Sequence, residues 1–268
     1  MMQTLFRKWR AIFVVWLKDS LAYRANMFIW ILSDTIPVIV MPLVFMAAMP
    51  EGGNIRGFSA GGFVFYYLTM LLLTNFITSH MMWDMAYEIR EGKFTVYLLR
   101  PISHFQASFL QNFTWRILRL VMFIPLGVVY ILLYRNHLHS MQPYLGWEAW
   151  AAIVLGHFVS FLFIYAMAMI ALFLEEVHNI FALYYIPMLF LSGQLFPIDL
   201  LPSWAILLSR VFPFYYTTAL PTEIIVGRVS PEVAHGLIAL QLAWCVGLAL
   251  SARVLWRWGL KHYTAVGM

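Results

Sequence analysis

The chain has 268 residues, 63% of them hydrophobic and 11% charged, with a formal net charge of +5 and a mean hydropathy of +0.79. A soluble domain keeps about a quarter of its residues charged, so this composition excludes an ordinary water-soluble fold. Backbone groups inside lipid need internal partners, and the apolar runs are too long and too little alternating for barrel strands, which leaves helices.

Residues 3–22 predict a helix lying in the membrane surface rather than across it. Leu5, Phe6, Trp9, Ile12, Phe13, Trp16 and Leu17 recur at helical spacing, with Arg7, Lys8, Arg10 and Lys18 among them. A signal peptide fits less well, because the apolar core Ala11–Leu17 is short and no small-residue cleavage site follows. Six spans of near-bilayer length are expected at about 27–49, 61–83, 105–134, 147–174, 179–196 and 233–256. A charged loop, 84–104, separates the second span from the third. Between the fifth and sixth lies 197–231, apolar but broken by Pro197, Pro202, Pro213, Pro221 and Pro231. Five prolines exclude one continuous span. Two half-helices re-entering the outer leaflet, Leu200–Val211 and Pro213–Val226, fit the stretch, with a membrane-surface hairpin as the other reading. The expected fold class is therefore all-α and polytopic, in a single transmembrane domain without internal repeats.

Basic residues set the expected orientation. With the N-terminus inside, the cytoplasmic side holds Arg7, Lys8, Arg10, Lys18, Arg24, Arg90, Lys93, Arg100, Arg253, Arg257 and Lys261, against Arg56, Arg135, Arg210 and Arg228 outside. Both termini are expected in the cytoplasm. The positive charge is expected to meet lipid headgroups; no basic tract or RNA-binding motif points to nucleic acid. Cys245, the only cysteine, reads as an inert buried thiol.

No G-x-x-x-x-G-K-[ST] loop occurs; Gly92-Lys93 is followed by Phe94 and lacks the upstream glycine. Glu175-Glu176-Val177-His178 holds one E-x-x-H, but a second copy and two further carboxylates are missing, so no metal site is expected. Ser192-Gly193 lacks the flanks of a nucleophile elbow and reads as a close-packing point between helices. An enzyme is not expected.

Three groups remain as functional candidates. The loop residues Glu88, Arg90, Glu91, Gly92, Phe94, Tyr97, Leu98, Arg100 and Pro101 mix both charge signs with an apolar face. They read either as a solvated turn or as a short amphipathic helix that docks on a soluble partner. Asp34, Arg116 and Arg119 are charges inside spans, with the arginines on one helix face at i, i+3. They are expected at the level of Glu175 and Glu176, with Arg116 or Arg119 pairing with Asp34 or Glu175. Both a structural staple and a proton relay fit, and the presence of both signs favours the staple. The third group lies in and after the fifth span: Ser192, Gly193, Phe196, Pro197, Pro202 and Pro213. The 22 Phe, 11 Trp and 14 Tyr offer an aromatic lining for lipophilic or cationic cargo, although most suit lipid, core or interface.

The interfacial helix, six spans, the loop E-I-R-E-G-K-F…L-L-R-P and the stretch Leu191-Ser-Gly-Gln-Leu-Phe-Pro197-Ile-Asp-Leu-Leu-Pro202 followed by Phe212-Pro213 together resemble the permease subunits of ABC-2 type exporters. The closest branch is that of small six-span permeases that work with a second permease and a separate ATPase. The resemblance covers nearly the whole chain. It implies residence in the bacterial inner membrane and assembly as a homodimer or with a sister permease. It also implies ATPase subunits that bind the ATP and Mg, none being held by this chain. Residues 88–101 and the group Glu175, Glu176 and His178 would then receive the ATPase, and 197–231 would form an outer gate. An ion-coupled secondary transporter using Asp34 or Glu175 as proton carrier is the alternative, and a membrane-embedded assembly factor a third.

Overall fold

The computed structural model describes residues 2–50, 53–99, 102–174 and 177–263, leaving aside the side chains of 2–6 and of His178. The described residues form eleven α-helices: α1 Met2–Ala22, α2 Arg24–Ala48, α3 Ala60–Ile77, α4 Met82–Arg90, α5 Phe94–Leu99, α6 His104–Leu138, α7 Trp147–Ala168, α8 His178–Leu191, α9 Ser203–Val211, α10 Leu220–Ile225 and α11 Pro231–His262. Local chemistry sets several ends. Ser59 and Ser103 each accept a hydrogen bond from the backbone N–H three residues on, capping α3 and α6. Gly92, at φ 69, closes α4 in the left-handed region that a Cβ disfavours. Pro231 opens α11 at a position where its missing N–H costs nothing.

Five helical runs among the described residues are long and apolar enough to cross a membrane: Arg24–Ala48, Ala60–Arg90, His104–Leu138, Trp147–Leu172 and Pro231–His262. The sixth expected span, 179–196, contains only α8, whose 14 residues extend about 21 Å, short of the roughly 30 Å of a hydrocarbon core. A bend through Ser192–Phe196 follows it.

The expected second span, 61–83, is not one helix. It stops at Ile77, runs non-helically through residues 78–80 and restarts as α4, whose axis continues to Arg90. Much of the expected loop 84–104 is therefore helix. The third helix also outlasts its expected end at Tyr134, since neither Pro nor Gly occurs between Tyr134 and Leu138. Its 35 residues span about 52 Å. In the proline-broken stretch, the two half-helices begin later than expected, at Ser203 and Tyr215, because Pro202 and Pro213 each end an extended or turning segment instead of joining the helix. The second is wide-wound (π) over Tyr215–Ala219 before tightening into α10.

α3 with α4, and α7, form the centre: 61% of the most apolar stretch of each is buried, against 22–28% for those of α2, α6 and α11, whose outward faces are apolar. α2 and α6 pack on one side of α3, and α7 packs on the other. α11 and the wide-wound segment then cover α7, and α1 lies against α6. The wide-wound segment seats closely at Gly156 of α7, where a Cβ would fall 2.4 Å from the Thr217 carbonyl oxygen. Gln241 ties the same seam, donating to the carbonyls of Ala152 (2.9 Å) and Tyr216 (2.8 Å).

Candidate functional site

At one end of the bundle, α4 and α5 meet the ends of α6, α7 and α11 around His104. Its Nδ1 lies 3.2 Å from the Tyr165 hydroxyl and 3.3 Å from that of Ser108, and its Nε2 is 3.8 Å from Glu88. Phe94 is wholly buried among the rings of His104, Trp256 and Tyr263, at 5.2–5.6 Å. The Tyr97 hydroxyl donates to Glu88 (3.2 Å), and Thr95 shares a 3.0 Å hydrogen bond with Tyr263. The apolar face expected to await a partner is therefore split. Phe94 is an internal anchor, while Val96, Leu98 and Leu99 remain exposed, Leu99 at 83%. Arg90 and Glu91 lie exposed beside them. Arg100, Pro101, Glu175 and Glu176 lie outside the described residues, as does the side chain of His178.

The second site is the intramembrane charge cluster. Arg119 Nη2 pairs with the Asp34 carboxylate, linking α6 to α2, and Arg119 Nε donates to Asn75 Oδ1 on α3 (2.7 Å). The Asn75 amide donates in turn to the Leu71 carbonyl (2.8 Å). Arg116 and Arg119 are 1% and 2% exposed and begin more than three turns into α6. The helix α7 meets this level at His157, whose ring lies against Phe109 and Phe113. Leu172, the last described helical residue before Glu175, lies more than about 20 Å further along that run. The cluster is thus assembled from α2, α3, α6 and α7.

The third site, at the opposite end, is a latch between three loops. Asp199 accepts from Arg228 Nη2 (2.6 Å) and Nε (3.1 Å). Arg56 donates to the carbonyls of Asp199 and Leu201, and Arg228 donates to the Arg56 carbonyl (3.1 Å). Arg56 holds φ 47, a conformation that L side chains rarely adopt, and these bonds offset the strain. The Arg228 guanidinium also stacks 4.2 Å over Phe58. Below the latch, Gly193 takes φ 78 and its carbonyl accepts from Tyr66 (2.9 Å), while Tyr67 donates to Leu195 (2.8 Å). A Cβ on Gly193 would lie 2.5 Å from the Tyr66 hydroxyl. Ser192 offers its carbonyl to Thr218 (2.9 Å), and its own hydroxyl reaches only the Met188 sulfur (3.9 Å), so among the described residues no base joins it. Phe196 packs on Phe45 and Phe190; Pro197 precedes the short turn Ile198–Leu200, and Pro202 caps α9. The carbonyl of Pro213 starts the wide-wound turn by accepting from Tyr216 (3.1 Å).

Glu223 of α10 is buried beneath the latch. Burial pushes its carboxyl up to about 7 and nearby Asp199 adds to that, while the hydrogen bond from Tyr215 (2.7 Å) opposes it. The sequence reading missed Asn75, His104, Asp199, Glu223 and Gln241. The criterion that found Asp34, a lone polar residue in an apolar run, selects Asn75, Glu223 and Gln241 too.

What these sites hold are links between helices. A family model described as ABC-2 family transporter protein matches residues 35–267. The chain belongs to the ABC-2 transporter family. No curated protein matches it. This ABC-2 permease is an integral membrane protein, and the matched residues include the His104 hub, both cluster arginines and the whole latch.

Proposed function

We propose that the chain is one half of the translocation pathway of an ATP-driven exporter and draws its energy from a separate ATPase subunit. The observation that carries this reading is the hub. The exposed α5 surface (Val96, Leu98, Leu99, with Arg90 and Glu91) is joined through Phe94 and His104 to α6, α7 and α11. A push on α5 cannot stay local, because buried aromatic contacts of this kind repack as a unit. In this reading the hub end is cytoplasmic and both termini lie there. The 14-residue α8 with its bend makes the sixth crossing, and α1 lies in the membrane surface. The latch is then the outer gate, with α9, α10 and the wide-wound segment re-entering the outer leaflet. Glu175, Glu176 and His178 would add a second ATPase contact.

The outward faces of α2, α6 and α11 are broad and apolar, which suits lipid and a second permease, either identical or a sister chain. Asp34 is held by Arg119, which favours a staple over the freely titrating carrier that a proton-coupled transporter needs. Isolation of the chain from its native membrane in mild detergent tests the reading. An ATPase with a phosphate-loop motif is expected to accompany it. A chain that purifies alone and drives solute flux with a proton gradient would replace this account with the ion-coupled one.

A further inference from the structure

The Asp34–Arg119 pair leaves a charge over. Two guanidinium groups lie buried side by side on α6, and one carboxylate faces them. Arg116 Nε and Nη1 have no hydrogen-bond partner, although the residue is 1% exposed. A buried cation with free donors is among the least stable arrangements a protein interior can hold unless a counter-charge is present.

The neighbours share the same deficit. Asn112, one turn before Arg116 on α6, has a free Nδ2; Ser79, in the break between α3 and α4, has a free Oγ. Both are at least nine-tenths buried. The break is seated against α7, since Ser160 accepts from the Ser79 backbone N–H (2.9 Å) and His157 Nδ1 lies 3.1 Å from the Phe76 carbonyl. That leaves His157 Nε2 unpartnered as well. Arg116 is close enough for its charge to act on both His80 and His157. Asp84, in the first turn of α4, has Glu88 and Asp19 as its charged neighbours and does not neutralise the arginines.

We infer that the break between α3 and α4 is an anion-binding site. Arg116, Asn112 and Ser79 donate to one carboxylate or phosphate group, beside the unpartnered His157 Nε2. A discontinuous helix at membrane depth beside an unmatched cation is suited to an anionic group. The same chemistry belongs to a dissolved oxyanion and to the headgroup of an acidic lipid or amphiphile. The site is independent of ATP coupling, so binding measured without nucleotide tests it alone.

The test uses the full chain in phosphatidylcholine nanodiscs and reads its Tm against inorganic phosphate, or against rising phosphatidylglycerol content. A saturable rise is expected in one arm, with half-saturation weakened at least about tenfold in R116Q, less in R116K and not at all in R135Q, which lies at the far end of α6. Saturation by phosphate identifies a dissolved anion; saturation by phosphatidylglycerol alone identifies a headgroup. N112L is expected to weaken binding in the same arm and serves if R116Q does not fold. No saturable response in either arm, or equal responses in wild type, R116Q and N112L, would overturn the inference.

Discussion

Arg119 faces Asp34 and Asn75 in an interior where neither charge can be left alone. Removal of Asp34 strands the buried Arg119, while Asp34 is itself only partly buried, so the cost falls below the roughly 3–5 kcal/mol of a fully buried pair. D34N and R119Q are each expected to lower Tm, and D34N/R119Q to recover part of the loss, because the double change removes both members of the pair and leaves the cluster with the same single excess cation, Arg116. A double variant that is worse than either single would show that the pair does more than staple α2 to α6. Glu223 predicts a pH dependence of opposite character. Its folded carboxyl titrates near 7, above its unfolded value, so the folded state binds the extra proton. Its contribution to stability is fully present below the unfolded value and is lost as pH rises through about 7. E223Q is expected to flatten the Tm profile between about pH 5 and 8, and an unchanged profile would mean that Glu223 does not titrate there.

Among the elements, α5 and the segment after α8 carry the sharpest expectations. Phe94 fills a wholly enclosed space between α5, α6 and α11, so F94A is expected to destabilise by about 3–4 kcal/mol, read by denaturant or thermal unfolding. A small change would mean that α5 is not anchored there. G193A combines a positive φ with a Cβ 2.5 Å from the Tyr66 hydroxyl, and should release the segment that Tyr66 and Tyr67 grip. Faster hydrogen exchange confined to 192–202 is the expected signature. These elements were also the least legible in sequence. Hydropathy located the long runs well, because lipid imposes length and composition directly. It placed the end of the second span at Trp83, since Thr78, Ser79 and His80 interrupt a helix without interrupting its apolar pattern. It also read Phe94 as a surface group. Burial by Trp256 and Tyr263 depends on the far end of the chain folding back beside α5, which no local pattern encodes.

At the scale of the whole molecule, the three sites are stacked along one bundle: a hub that joins α5 to three helices, a charge cluster midway, and a latch at the other end. Isolated polar residues in apolar runs made part of this visible beforehand, as with Asp34, Arg116 and Arg119. The Arg56–Asp199–Arg228 latch was hidden because each residue looks like an ordinary loop charge until the loops meet. The central claim is that motion enters at the exposed face of α5 and reaches the latch through Phe94 and His104. The most direct measurement is the ATP hydrolysis rate of the chain co-purified with the proposed ATPase subunit, comparing wild type with R90A/L98A. Both altered side chains are at the surface, so Tm is expected to stay within about 1 °C while hydrolysis or ATPase retention falls about tenfold. Full hydrolysis and full retention in R90A/L98A, with Tm unchanged, would contradict the account.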